Sequence, residues 1–255
     1  MAGQVLRIEL EGTTTSFRYP HFLVGRQPSF PMPPPATVYG HSASALGEFP
    51  DRATLRFAYS FTAAGKGDDL ENTHLVEAAS GRLDRAMGFT KNLEGNINPL
   101  LREVLLFPRM VLYLDAPGWL EQLERAFREP CYPVVLGRSQ DLAAYRTVQV
   151  VDLEAAASGY LEGTLLPWTW RLRTPVGVMA TMPRFIDPTD RRRVEWAPYV
   201  VLERRVAVRE GATQGTSAMR PDPGEIFSID PLSPEENGLR RIVVWHRFDG
   251  AHDGP

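Results

Sequence analysis

The sequence predicts an α+β protein: a βαββαβ domain broken by a long insertion, then a mainly-β region. Three observations lead there. Gln4–Glu11 and Leu55–Phe61 alternate apolar and polar side chains with the period of a half-buried strand. Trp119, Leu120, Leu123 and Phe127 fall on one face at helical spacing. The last third is cut by glycine and proline into short apolar runs.

In the first strand Leu6, Ile8 and Leu10 face one way and Arg7 and Glu9 the other, with Gly12 as the stop. A polar, proline-rich loop follows, where Pro31, Pro33, Pro34 and Pro35 forbid regular structure. Thr37 is the expected cap of a short helix through Val38, Tyr39, Ala43 and Leu46, ended by Gly47. Leu55, Phe57, Tyr59 and Phe61 make the second strand. Residues 64–98 then lose the pattern; a stretch of that length inside a compact domain is commonly functional. Alternation resumes near Val104–Phe107 and Val111–Leu114, the second helix ends at Pro130, and Tyr132–Leu136 reads as the last strand. This order is ferredoxin-like, and it also underlies the RNA recognition motif, whose helices cover one sheet face and leave the other free. The expected division is residues 1–143 with the insertion at 64–98, a C-terminal β region at 144–249, and a flexible tail at 250–255. Strands of the C-terminal region are expected at Thr147–Leu153, Val176–Met182, Tyr199–Val208 and Arg240–Phe248.

Composition narrows the function classes. The 255 residues carry 43% apolar and 23% charged side chains and a net charge of −3, so nucleic acid would need a local basic face. Arginine supplies nearly all the positive charge; Lys66 and Lys91 are the only lysines. The lone Cys131 excludes an intramolecular disulfide and cysteine metal clusters, and its apolar surroundings predict a buried thiol. With no apolar run of membrane-spanning length and no signal peptide at the N-terminus, a cytoplasmic location is expected.

Three stretches carry a family likeness: Phe17-Arg18 followed by Pro31–Gly47, then Arg102–Leu105, then Tyr132–Leu142 with the sequence YPVVLGRSQDL. In identity, order and spacing they resemble the fifth family of CRISPR-associated proteins, within the RAMP superfamily, and most closely its type I-B-like members. The likeness covers roughly residues 4–145. It implies a ferredoxin-like domain whose insertion at 64–98 is a β-hairpin thumb, and a smaller C-terminal β domain. It further implies a non-catalytic subunit of a type I surveillance complex, Cascade, in antiviral defence. Such a subunit holds the 5′ handle of the CRISPR RNA (crRNA), caps the filament of backbone subunits and docks the large subunit. Target DNA near the end of the complex is a further candidate partner; no cofactor and no membrane are implied.

The candidate RNA-binding residues divide by region. Arg18 and Arg26 lie in the loop before the first helix, and Arg138 follows Gly137; exposed guanidinium beside free backbone amides suits phosphate. The bland reading of Arg138 is a pair with Asp141, and of Arg102 a structural ion pair beside Glu103. Tyr39 and His41 open the short helix, where Tyr39 either stacks on a base or packs in the core. In the insertion Arg82, Arg85 and Lys91 flank Met87 and Phe89, a set that can wedge between nucleotides or be a solvated loop. Arg191–Arg193 form a second basic spot, and Trp168, Trp170, Trp196 and Trp245 are either partner anchors or core. None of the five histidines, His21, His41, His74, His246 and His252, has metal-ligand spacing, and no lysine–histidine pair or Walker loop is present. Catalysis is therefore not expected. The runner-up is a metal-independent endoribonuclease of CRISPR repeat RNA using Tyr39, His41 or His74, and a generic single-strand RNA binder ranks third because no aromatic RNP-type strand is visible.

Overall fold

In the computed structural model the described residues are 3–22, 25–78, 83–84, 86, 88–90, 93–174, 176–212 and 217–250. Arg82, Arg85, Met87, Lys91 and the tail 251–255 lie outside them. The fold is α+β, with far more strand than helix.

Five strands build the main sheet. β1 (Gln4–Gly12) leads through the proline loop to α1 (Pro35–Leu46) and then to β2 (Arg56–Thr62). The insertion is a two-stranded ribbon, β3 (Gly65–Ala78) and β4 (Leu93–Leu106), paired without a break from Gly65↔Leu106 to Ala78↔Leu93. β5 (Arg109–Asp115), α2 (Leu120–Arg128) and β6 (Ala143–Asp152) complete the first half. In the C-terminal half β7 (Thr164–Pro167), β8 (Val178–Ile186) and β9 (Val194–Leu202) form their own antiparallel sheet. The short β10 (His246–Arg247) returns to the main sheet, whose order is β6-β1-β5-β2-β10 with every neighbour antiparallel.

The strand alternation explains the layers. Leu6, Ile8, Leu10, Phe57, Tyr59, Phe61, Met110, Leu112 and Leu114 face the helices and meet Val38, Tyr39, Leu123 and Phe127 in one core. That core continues into Leu165, Met182, Tyr199, Val201 and Phe248. A second cluster around Leu166, Trp170, Leu202, Val206 and Ile242 stabilises the C-terminal half. On the helix-free face, Val5, Ala58, Tyr113 and Val151 are covered by Val243 and Trp245 from the C-terminal segment. Beside them the buried Arg7 pairs with Asp230 at 3.0 Å, and the Tyr113 hydroxyl donates to the same carboxylate at 2.6 Å. The helix-free face is thus half covered rather than free.

Several expectations are corrected. Tyr132–Leu136 is a loop; the strand beside β1 is Ala143–Asp152, whose Val148 and Val150 supply the alternation and pack on the core. Thr147–Leu153 therefore lies almost wholly in the main sheet, and a boundary at 143 falls at the start of β6. The insertion's return strand includes Val104–Leu106. Thr37 lies inside α1, which starts at Pro35, where a proline has no amide left unbonded; Gly47 ends it at φ 81°, with its N–H on the Ala43 carbonyl. Cys131 is exposed, because the loop that carries it runs over the surface.

Candidate nucleic-acid interface

Three of the expected cations converge at the base of the ribbon, and carboxylates meet all of them. Gly137 (φ 94°) turns the chain tightly against Thr15 and Ser16, where a Cβ would come within 2.5 Å of the Thr15 Oγ1. The turn aims Arg138 at β3. Its Nε and Nη2 donate to the two oxygens of Asp141 at 2.8 Å each, and Nη1 donates to Asp69 at 2.8 Å and Glu71 at 2.5 Å. Asp141 is fully buried and also accepts from the Thr14 hydroxyl at 2.8 Å. Burial works to raise the Asp141 pKa, but the hydrogen bonds from Arg138 and Thr14 outweigh it and hold the carboxyl below its ordinary value. Arg138 itself is held firmly protonated, first by Asp141 and then by Asp69 and Glu71. Arg102 is buried, with its Nε on Glu71 at 2.6 Å rather than on Glu103. Arg26 is exposed and shared between Asp68 (2.9 Å) and Glu103 (3.2 Å); Lys66 approaches Glu103 at 3.5 Å. The cluster sets four cations against five carboxylates, so it fastens the ribbon to the body and offers phosphate no surplus charge. Arg138 thus makes the pair with Asp141 that its sequence neighbour suggests, and Arg102 makes an ion pair with Glu71.

Tyr39 and His41 are both buried. Tyr39 is 4% exposed, packs edge-on against Phe185 and Phe248, and donates its hydroxyl to the Pro50 carbonyl at 2.5 Å. A ring inside the core has no face to offer a base. His41 is buried; its Nδ1–H donates to the Val135 carbonyl at 3.0 Å, and Nε2 accepts from the Tyr145 hydroxyl at 2.9 Å. Burial lowers its pKa to about 4, so the ring is neutral at physiological pH. Arg18 is exposed, in a β-bridge with Ser29, and has no carboxylate partner among the described residues. Phe89 lies in a short strand (Phe89–Thr90) near the far end of the ribbon. His74 stands opposite Ile97 on the ribbon.

A different basic surface occupies the uncovered half of the helix-free face. Arg109 of β5 lies in register between Glu11 of β1 and Thr62 of β2. With Arg146, Arg241 and Ser60 they line a groove of about 400 Å³. Arg146 reaches Glu11 only at 3.4 Å, and Arg109 has no carboxylate partner among the described residues. Among the described residues the Arg241 guanidinium makes one long hydrogen bond, to the Tyr113 hydroxyl at 3.5 Å, and its Nε is buried without a partner. Burial works against the Arg241 charge, but Tyr113, Tyr160 and Asp230 outweigh it and keep the guanidinium protonated. A charged donor so poorly satisfied favours an anion. Beyond Arg109 the groove opens into a cavity of about 460 Å³ beside Phe107, which is 61% exposed. Sequence reasoning passes over Arg109, Arg146, Arg241 and Phe107. A signal for Arg109 exists: in a strand that buries Met110, Leu112 and Leu114, Arg109 must face away from the helices. Nothing local marks Arg241, which the C-terminal segment brings back from far along the chain.

No protein-family model matches the chain, and no curated protein is similar to it in sequence. Among solved structures, one chain of a CRISPR RNA-guided surveillance complex shares 15% identity at a TM-score of 0.52, over 86% of this chain and 94% of that one. A CRISPR protein from Archaeoglobus fulgidus aligns over 96% of this chain and 100% of its own with 13% identity and a TM-score of 0.44. At such identities the likeness is one of fold: the chain shares the fold of a protein from a CRISPR surveillance complex. No helix among the described residues is long and apolar enough to cross a membrane.

Proposed function

We propose that the protein is a non-catalytic, crRNA-binding subunit of a type I CRISPR surveillance complex, holding the 5′ handle and contacting the backbone and large subunits. The fold carries this reading. The order β6-β1-β5-β2 with a helix in each crossover supports a ferredoxin-like reading, with a long ribbon inserted between the second and third strands. The same fold in a chain of a surveillance complex supports the assignment. The groove of Arg109, Arg146 and Arg241 on the helix-free sheet face suits the phosphates of the handle, with Phe107 beside it for a base. Arg18 is a further cation for phosphate.

Purification of the protein from cells carrying a CRISPR array tests this. A discrete small RNA with a repeat-derived 5′ end is expected to co-purify, and absence of such RNA overturns the reading. In vitro, Arg109→Ala with Arg146→Ala should weaken handle binding and flatten its salt dependence by about 0.7 for each phosphate no longer neutralised. The endoribonuclease alternative needs an acid and a base at the scissile bond, whereas Tyr39 and His41 are hydrogen-bonded inside the core. Intact repeat RNA after incubation in EDTA is the expected result.

A further inference from the structure

Two cavities flank the indole of Trp196 on β9 and share no lining residue with the Arg109 groove. One, of about 570 Å³, is bordered by Tyr19, His21, Val178, Met179 and Trp196. The other, of about 330 Å³, is bordered by Trp168, Trp196, Trp245, Pro198 and Arg184. Trp196 and Trp168 are each 37% exposed, whereas Trp170, two residues from Trp168, is the tryptophan that fills the second core. The His21 ring stacks on Trp196 at 5.6 Å between centroids and 25° between planes. The Arg171 guanidinium lies 4.9 Å from the centre of the Trp168 ring.

The charge around these rings is cationic. Arg52 and Arg184 share one carboxylate, Glu195, at 2.6 and 2.8 Å. Immediately before β9 the exposed Arg191, Arg192 and Arg193 cap the β8–β9 hairpin, and among the described residues only the Arg193 guanidinium is paired with a carboxylate, Asp190 at 3.4 Å. Exposed aromatic faces interleaved with under-matched guanidinium groups are what a single strand requires: flat surfaces for bases and cations for phosphates. An apolar protein partner would account for the indoles but not for the arginines.

We propose that the Trp168–Trp196 face is a second nucleic-acid site, stacking unpaired bases of single-stranded RNA or DNA on the two indoles while Arg171, Arg191 and Arg192 hold the phosphates. The site is independent of the Arg109 groove and of the identity of the RNA bound there.

Titration of the full chain with U12 and with dT12, read by quenching of intrinsic tryptophan fluorescence, tests it. Both should quench, and the stronger of the two identifies the nucleic acid preferred. Trp168→Ala with Trp196→Ala should weaken oligonucleotide binding at least about tenfold, while Trp196→Phe retains most of it. Arg191→Ala with Arg192→Ala leaves the packed side chains in place and should flatten the salt dependence of the quenching. Arg109→Ala with Arg146→Ala should leave the quenching unchanged, which separates this site from the groove. Absence of quenching, or an unchanged salt dependence in the Arg191/Arg192 variant, overturns the proposal. So does a Trp168/Trp196 variant that keeps its oligonucleotide affinity yet fails to join partner subunits, since the face would then be a protein-docking surface.

Discussion

Among single residues, Arg138 holds three carboxylates at once. Removing it leaves Asp69, Glu71 and the fully buried Asp141 facing one another without their cation. Arg138→Ala should therefore cost roughly 2–3 kcal/mol of stability, read as a lower urea midpoint. Adding Asp141→Asn should cost less than the sum of the two changes. The pH dependence has a definite sign. The folded-state pKa of Asp141 is depressed, so its contribution is present above the ordinary carboxylate value of about 3.9 and is lost as pH falls through the folded value. The deficit of the variant should accordingly shrink below about pH 4. His41 and His246 act over a higher window. Burial lowers both to about 4, so the unfolded chain takes up protons that the folded chain refuses. Their contribution is complete above about pH 6.5 and falls steadily toward about pH 4. The imidazole resonances of both rings should stay at their neutral positions down to about pH 5 in an NMR titration. Protonation of either ring above that would contradict its burial.

The ribbon is the element whose removal the body should tolerate. Its base is fastened by Arg26, Arg102 and Arg138 and by pairing with Thr14–Thr15 and Arg26–Gln27. Farther out Leu70, Val76 and Ile97 are all more than half exposed. Glu71 and Leu100 are directly opposed, so an Asn-Gly turn can join them in place of residues 72–99. That variant should melt within about 4 °C of the parent; a larger drop would mean that the outer ribbon stabilises the body. The ribbon also shows where sequence pattern is informative and where it is not. β1, β2 and α2 are legible because each turns an alternating or helically spaced apolar face to the main core, so their apolar spacing follows the geometry. In the ribbon the described side chains at 72–76 and 95–97 are exposed on both faces, which leaves no periodic burial to read. Tyr132–Leu136 misleads for the opposite reason. Its apolar run is a loop held by single backbone hydrogen bonds, Leu136 N–H to the Asp141 carbonyl and Ala143 N–H to the Val134 carbonyl, and alternation cannot separate that from a strand. At the site, the sequence marks Arg26, Arg102 and Arg138 as noteworthy cations, but their carboxylate partners lie mainly on β3 and β4, and only the fold brings those within reach.

At the scale of the whole molecule, the two halves share one core. β10 extends the main sheet beside β2, and Leu165, Tyr199, Val201 and Phe248 pack with Leu6, Phe57 and Leu112. A fragment ending at Ala143 loses β6, β10 and a large part of that core. It should fail to fold, whereas the full chain should unfold in urea as a single transition by circular dichroism and fluorescence alike. Independent folding of the fragment would support a domain boundary at 143. The same closure matters while the chain is being made. His246 pairs with Phe57, a residue made far earlier along the chain. At about 5–20 residues per second, β2 waits roughly 10–40 s for its outer neighbour. During that interval the backbone amides and carbonyls along its edge are exposed to other nascent chains, so a strand made before most of the chain is among the last to be sealed.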